Sequence, residues 1–148
     1  IFLRFFKNMK TKLFIIFIVL MTNGALLAQR IKVDSLYYDI TSSTTVSVTF
    51  GGREYSSYKE VTIPSSIVYG DSTYRVTSIH SSAFAQCYSL SQVTIPNTII
   101  SIGSNAFEQC VSLRAIVIPN SVESIGIFAF NACSSLETIV ISNNIQTI

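Results

Sequence analysis

Residues 99–121 read IISIGSNAFEQCVSLRAIVIPNS, and this 23-residue unit has a counterpart on each side. The preceding unit, residues 76–98, reads VTSIHSSAFAQCYSLSQVTIPNT, and the following unit, residues 122–144, reads VESIGIFAFNACSSLETIVISNN. Nine of the 23 columns are identical in all three units, and most of these nine are apolar. Self-similarity at a short fixed period predicts a stacked solenoid, in which each unit packs on its neighbours.

The apolar columns predict the core of this stack. In each unit a leucine is followed three and five residues later by Val or Ile, a spacing that puts alternate strand residues on the inner side. One strand per unit is therefore expected to line a concave parallel sheet. The columns are Ile79, Ile102, Ile125 and Ile148; Phe84, Phe107 and Phe130; Cys87, Cys110 and Cys133; Leu90, Leu113 and Leu136; Val93, Ile116 and Ile139; and Ile95, Ile118 and Ile141.

Turn residues separate these strands. Pro96 and Pro119 end the first two strands because proline has no N–H to donate. Gly103 and Gly126 predict a backbone with positive φ, and His80 takes the same place in the first unit. The segment Ser-Asn-Ala-Phe that follows at 104–107 predicts a short helical or 3₁₀ turn, which returns along the convex side with its Phe inward.

The combined pattern I-G-x-x-A-F-x-x-C-x-x-L-x-x-V-x-I-P resembles the BspA-like class of leucine-rich repeat. The resemblance implies a protein that is secreted or displayed on a cell surface and that attaches to host or bacterial partners. The predicted fold is an α/β repeat solenoid of the leucine-rich repeat type, dominated by strands, with short helical or 3₁₀ turns on the convex side and an N-terminal β cap. The repeats are assigned to residues 61–148, as a partial unit at 61–75, full units at 76–98, 99–121 and 122–144, and a truncated unit at 145–148.

The N-terminal segment has the layout of a secretory signal peptide. In residues 9–28, Lys10 and Lys12 precede an apolar run at 13–21, and small residues follow near Ala28. The run is much shorter than the roughly 20 residues that span a bilayer, so no stable membrane span is expected after signal cleavage. The alternative is an uncleaved membrane anchor, which would have to extend to Ala28 and include Asn23 and Gly24. Residues 1–8 precede the candidate start Met9 and are interpreted as an upstream extension of the reading frame.

Residues 29–60 have a different sequence pattern from the repeats and are predicted to form the β cap. Segments 36–40 and 44–50 have strand patterns, and Gly51-Gly52 indicates a turn. The motif EVTIP at 60–64 lies 32 residues before its counterpart, so the first unit carries nine extra residues, assigned to a loop at 69–74. Two interpretations of the local tyrosines stay open, half-buried strand positions or a contact patch for a protein or carbohydrate. These are Tyr37, Tyr38, Tyr55, Tyr58, Tyr69 and Tyr74.

The charges exclude several function classes. Without residues 1–28 the chain has six basic and eight acidic residues, and it lacks the clustered Lys and Arg that nucleic-acid binding needs. With a single His, at position 80, a catalytic triad has little support, so the protein is predicted not to be an enzyme. No metal or other cofactor is expected, and the three cysteines are interpreted as buried free thiols that fill space.

The outward-facing residues of the predicted strands are the candidate binding face, on the concave side. By alternation they are Gln92, Thr94, Ala115, Val117, Thr138 and Val140, with Arg114 and Glu137 at the edge. The partner is expected to be an extracellular protein or glycan, in an adhesin-like role. The alternative is a structural surface protein that self-associates through an open C-terminal strand edge, because a unit that begins at residue 145 leaves the strand at 139–141 uncovered.

Overall fold

The computed structural model describes residues 29–141 and 144–147 of the chain. The predicted signal peptide at 9–28 lies outside the described residues. Within them, no helix is long and apolar enough to cross a membrane. The strands are β1 (Arg30–Val33), β2 (Leu36–Ile40), β3 (Thr45–Thr49), β4 (Glu60–Thr62), β5 (Ser66–Tyr69), β6 (Ser72–Ile79), β7 (Gln92–Thr94), β8 (Ser101–Ile102), β9 (Ala115–Val117), β10 (Ser124–Ile125) and β11 (Thr138–Val140), and a 3₁₀ helix spans Gly52–Ser57.

Each repeat unit contributes two short strands to two separate stacks. In one stack, β6, β8 and β10 are parallel, and Ile79, Ile102 and Ile125 lie side by side in register. In the other, β4 pairs with β7 and β9 pairs with β11, again parallel and in register. The fold is therefore a strand-dominated leucine-rich repeat arrangement in which neighbouring units are related by the sequence period.

The second stack is divided at its centre. The sequence predicts one parallel sheet, but β7 belongs to a two-stranded sheet with β4, and β9 belongs to another with β11. Backbone hydrogen bonds also extend each pair beyond its strands, from the Ile63 N–H to the Thr94 carbonyl and from the Ile118 N–H to the Val140 carbonyl. The gap between β7 and β9, where the two sheets adjoin, is called the seam below.

Aromatic rings fill the space between the two stacks of strands. Phe84 and Phe107 stack with ring centroids 5.3 Å apart, and Phe107 and Phe130 stack at 5.5 Å. Tyr55 continues the column at 5.2 Å from Phe84, although the sequence places it in the cap segment. Its hydroxyl accepts a hydrogen bond from the Tyr37 N–H, so the one polar atom of this buried ring has a partner.

The segments that carry these rings are not helical, which corrects the prediction of helical or 3₁₀ turns on the convex side. Each is a run of tight turns, and two residues per unit have positive φ, which breaks helical geometry. Alternate N–H groups point to the next unit instead, as in the bonds from Phe84 N to Ala106 O and from Phe107 N to Ala129 O, both 2.8 Å. The positive-φ residues are Ser82, Gln86, Asn105, Gln109, Phe128 and Ala132.

The two repeat glycines have a different role from the predicted one. Gly103 and Gly126 are absent from the positive-φ positions, so the expectation of a left-handed turn there was wrong, and so was that of a left-handed His80. A Cβ on Gly103 would lie 2.4 Å from the backbone nitrogen of Ser81, and one on Gly126 would lie 2.3 Å from that of Ser104. Glycine is needed because the backbone of one unit lies directly against the preceding one.

Three N-terminal strands continue the first stack. The strand β2 pairs antiparallel with both β1 and β3, and β3 then pairs in parallel with β6. Arg30 forms an ion pair of 3.1 Å with the nearly buried Asp39 and also donates to Thr49. The nine extra residues form a hairpin rather than the predicted loop, because β5 pairs antiparallel with β6 around a turn at Gly70, which has positive φ.

The tyrosines of this region are packing residues. Tyr38, Tyr55 and Tyr74 are buried, and Tyr37, Tyr58 and Tyr69 are half-buried against the core. Burial raises the pKa of Tyr38 and of Tyr55 above the ordinary value, which keeps both phenols neutral. The interpretation as an exposed contact patch therefore loses its basis, and the six tyrosines are better described as buried or half-buried packing residues.

Candidate functional site

The residues predicted to form the binding face lie together on the outward side of β7, β9 and β11, called the strand face below. In β7 and β9 the middle residue is buried and its two neighbours are exposed, so alternation holds. All eight predicted residues are exposed: Gln92, Thr94, Arg114, Ala115, Val117, Glu137, Thr138 and Val140. Register places them in rows, because Ala115 is opposite Thr138 and Val117 is opposite Val140.

One of these rows is apolar. The side chains of Val117 and Val140 are 60% and 52% exposed, and Thr94 precedes them at the same position of β7. Leaving two neighbouring valines in water forgoes roughly 1 kcal/mol or more of burial free energy for each. The chain therefore presents an apolar strip where a solvated sheet face needs none.

A shallow groove of about 720 Å³ runs beside this strip along the seam between β7 and β9. Its walls come from both strands, and Thr94, Val117 and Val140 contribute to them. This apolar groove exists because β7 and β9 do not share a sheet.

A second groove, of about 660 Å³, adjoins the first and has a different character. Lys59, Gln92 and Arg114 line it, together with the serines Ser89, Ser91, Ser112 and Ser135. Ser91, Gln92 and Arg114 line both grooves, so the two form one continuous depression. The second is called the cationic groove, since its lining includes two cations and no carboxylate.

The two cations of this groove are not used by the fold. Among residues 29–141 and 144–147 the ion pairs are Arg30–Asp39 and Lys32–Glu54, so neither Lys59 nor Arg114 takes part in one. Both residues are exposed. Their charges are therefore available to a ligand.

Other residues considered for chemistry lie apart from the strand face. His80 is exposed, and its Nδ1 lies 3.2 Å from the Ser81 carbonyl. Glu108 joins two units, accepting one bond from Asn105 and one from Asn131, both 3.0 Å. In the part of the chain that the structure describes, no group of three or more ligating side chains is arranged to hold a metal ion.

The cysteines are free, and the structure gives them a more specific contact than filling space. Cys110 Sγ lies 3.2 Å from the Phe84 carbonyl, and Cys133 Sγ lies 3.1 Å from the Phe107 carbonyl, so each thiol donates to the preceding unit. Burial raises the pKa of the Cys133 thiol to about 11. Contact with the Cys87 thiol, together with burial, also raises the pKa of Cys110.

Sequence reasoning missed the cationic groove. Its signal was present, since Ser89, Ser112 and Ser135 form one of the nine identical columns and Lys59 precedes the first repeat strand. A serine that recurs beside each strand can also serve in a turn, so the sequence alone does not indicate a groove. The groove is identified only when the structure places Lys59 and Arg114 on the same side as these serines.

Comparison with known protein families identifies the type of repeat. A family sequence model, described as the BspA type leucine rich repeat region, matches residues 54–148 in six copies, which is more than half of the chain. The match begins just before Tyr55, the first ring of the aromatic column. None of the curated proteins is significantly similar to the chain in sequence.

Solved structures of bacterial leucine-rich repeat proteins are similar to the chain. A leucine-rich repeat protein from Bacteroides capillosus has 23% identity and a TM-score of 0.55, over 77% of this chain and 99% of that one. The pneumococcal vaccine antigen PcpA has 19% identity and a TM-score of 0.49, over 81% of this chain and 40% of that one. At these identities the first similarity supports the fold alone.

Proposed function

Because the chain belongs to the BspA-type leucine-rich repeat family, we propose that it is an extracellular recognition module that binds a protein or glycan partner through its strand face, in an adhesin-like role. The observation that carries the proposal is the exposed strip of Val117 and Val140 beside the apolar groove. Contiguous apolar surface next to a concavity is typical of docking sites.

The N-terminal strands support this function by closing one end of the stack. A solenoid needs an end unit that shields its first core column from water. Here β1–β3 extend the sheet beyond β6, and Tyr55 covers one face of Phe84. We infer that this region is the N-terminal cap of a solenoid and that it holds the first repeat strands in place for binding.

A location outside the cell is part of the proposal. It is supported by the predicted signal peptide at 9–28 and by the surface location that the family resemblance implies. A binding role rather than an enzymatic one is supported by the strand face itself, which presents Thr, Val, Ala and Gln and only the two edge charges of Arg114 and Glu137.

The test is a pair of matched double variants. Val117→Asp with Val140→Asp places two charges in the apolar strip, and Val68→Asp with Ile127→Asp places two charges on apolar side chains that are equally exposed, each 65%, and line neither groove. Binding to a panel of purified extracellular matrix proteins and to a glycan array is measured for both, and circular dichroism verifies the fold. The first variant is expected to lose binding and the second to keep it, whereas equal binding by both would contradict the proposal.

A further inference from the structure

The cationic groove indicates what kind of partner the strand face selects. We propose that the partner is an extended peptide segment that carries acidic side chains beside apolar ones, with carboxylates placed between Lys59 and Arg114 and apolar side chains placed on Val117 and Val140. This inference rests on the proposed function and specifies the partner of the same face. Its basis is the continuity of two grooves of different chemistry through Ser91, Gln92 and Arg114.

The spacing of the cations suits an extended chain. The pairing of Glu60 with Gln92 places Lys59 next to Ser91, and the 23-residue period places Ser91 next to Arg114. Lys59 and Arg114 are therefore separated by two strand spacings across the stack. At a spacing of about 4.8 Å per strand this is roughly 10 Å, somewhat more across the seam. Carboxylates on alternate residues of an extended peptide are about 7 Å apart, and flexible Lys and Arg side chains bridge the difference.

The serine hydroxyls can accept hydrogen bonds from a ligand, and the apolar strip favours a peptide over an acidic polysaccharide. Ser91 Oγ donates to the Lys59 carbonyl at 2.9 Å, and Ser112 Oγ donates to the Tyr88 carbonyl at 2.6 Å. Because each hydroxyl has a single proton, both offer lone pairs to the groove, where they can accept from peptide N–H groups or from sugar hydroxyls. The exposed side chains of Val117 and Val140 beside the groove match apolar side chains, which a peptide supplies and an acidic polysaccharide lacks.

Two carboxylates lie beside residues that line the groove. Glu60 follows Lys59 in sequence and is exposed, and Glu137 is the neighbour of Arg114 in the next unit, where its N–H bonds to the Arg114 carbonyl at 2.9 Å. Neither lines the groove. Each carboxylate is adjacent to one of the two cations and lowers its attraction for an acidic ligand, so removal of both carboxylates is expected to strengthen the binding of such a ligand.

The test uses three probes: a fluorescein-labelled peptide that alternates Glu with Val, the same peptide with Gln for Glu, and labelled chondroitin sulfate. Fluorescence polarisation is measured with the purified chain and two variants, Lys59→Gln with Arg114→Gln and Glu60→Gln with Glu137→Gln. The first variant is expected to weaken binding of the Glu–Val peptide about fivefold, since two exposed ion pairs are lost, and the second to strengthen it about twofold. Added salt reduces both differences.

Three results would overturn the inference. These are equal binding of the Glu–Val and Gln–Val peptides, no effect of Lys59→Gln with Arg114→Gln, and preferential binding of chondroitin sulfate, which would assign the groove to acidic glycans. The proposed function fails separately. If the valine variant abolishes binding of a matrix protein while the cation variant leaves it unchanged, the strand face is the docking surface and only the acidic selection is wrong.

Discussion

The second and third repeat units have nearly the same core residues, yet only those of the second are fully buried. Ile116 and Ile118 are each 2% exposed, whereas their counterparts Ile139 and Ile141 are 39% and 45% exposed. Phe107 and Leu113 are fully buried, and Phe130 and Leu136 are only partly buried. Burial in this fold is therefore a property of two neighbouring units together, because no single unit can cover its own inner face.

The N-terminal side covers the first full unit with a neighbour that is only partly repeat-like in sequence. The first full unit begins at residue 76. The repeat strand β4 pairs with its β7, whereas β3 pairs with its β6 and Tyr55 stacks on Phe84. Phe84 and Leu90 are as well buried as their counterparts in the second unit, so a full copy of the repeat is not needed for burial.

Removing a ring from the middle of the aromatic column is expected to give the largest effect. Phe107→Ala deletes a fully buried ring that contacts rings on both sides, so the free energy of unfolding should fall by about 3–5 kcal/mol. Phe130→Ala removes a ring that is partly exposed and that, within the described residues, stacks on one side only. The free energy of unfolding should therefore fall by less than about 2 kcal/mol. Urea denaturation measures both, and equal losses would contradict the dependence on neighbours.

The contact between glycine and the preceding unit predicts the next largest effect. Gly103→Ala places a Cβ against the backbone of Ser81, so the protein should lose about 1–3 kcal/mol of stability. If the contact were absent, alanine at a residue with ordinary φ would instead stabilise by about 0.4–1 kcal/mol. The sign of the change in thermal midpoint decides between these, with Gly126→Ala as a second instance.

The bridge formed by Glu108 predicts a smaller effect between units. Glu108→Ala removes two hydrogen bonds at the surface, one within its unit and one to Asn131 of the next. The expected loss is about 1 kcal/mol, since both bonds are partly solvated. Combining Glu108→Ala with Asn131→Ala should cost little more than the single change, and strictly additive losses would show that the two side chains do not interact.

The thiols should differ in reactivity along the stack. With a pKa of about 11, Cys133 should react with iodoacetamide at pH 8 far more slowly than an ordinary cysteine. The rate of its reaction should rise with pH until the pH reaches that pKa. Because the folded pKa lies above the unfolded value, the stabilising contribution is complete below about pH 8.5 and decreases as pH rises toward 11. Mass spectrometry at several pH values should show Cys133 modified before Cys110, which is fully buried, and the reverse order would contradict the burial pattern.

The sequence predicted the columns and strand periodicity well because both are local patterns of apolar residues. Val93 and Ile116 are buried between exposed neighbours, as alternation requires. The turn geometry was not predictable in the same way, since the φ of Ser82 and Asn105 depends on carbonyls that the next unit supplies. The same limit explains Gly103, whose constraint is the backbone of Ser81 in the preceding unit.

For the candidate site, too, the sequence predicted the features that are local and missed those that depend on the packing of units. Alternation alone identified Val117 and Val140 as outward-facing, and the structure places both beside a groove. The groove itself depends on the separation of β7 from β9, for which the repeat sequences contain no signal. Lys59 was missed because it comes before the first repeat strand and reaches Arg114 only through the stacking of units.

Photocrosslinking tests most directly the central claim, that stacked units present the strand face as the docking surface. A p-benzoylphenylalanine residue is introduced at position 117 on the strand face or at position 127, which is at least as open to solvent but lines neither groove. Each protein is irradiated with the matrix protein that binds most tightly in the panel. A covalent adduct at 117 and none at 127 is the predicted result, and an adduct at 127 without one at 117 would contradict the account.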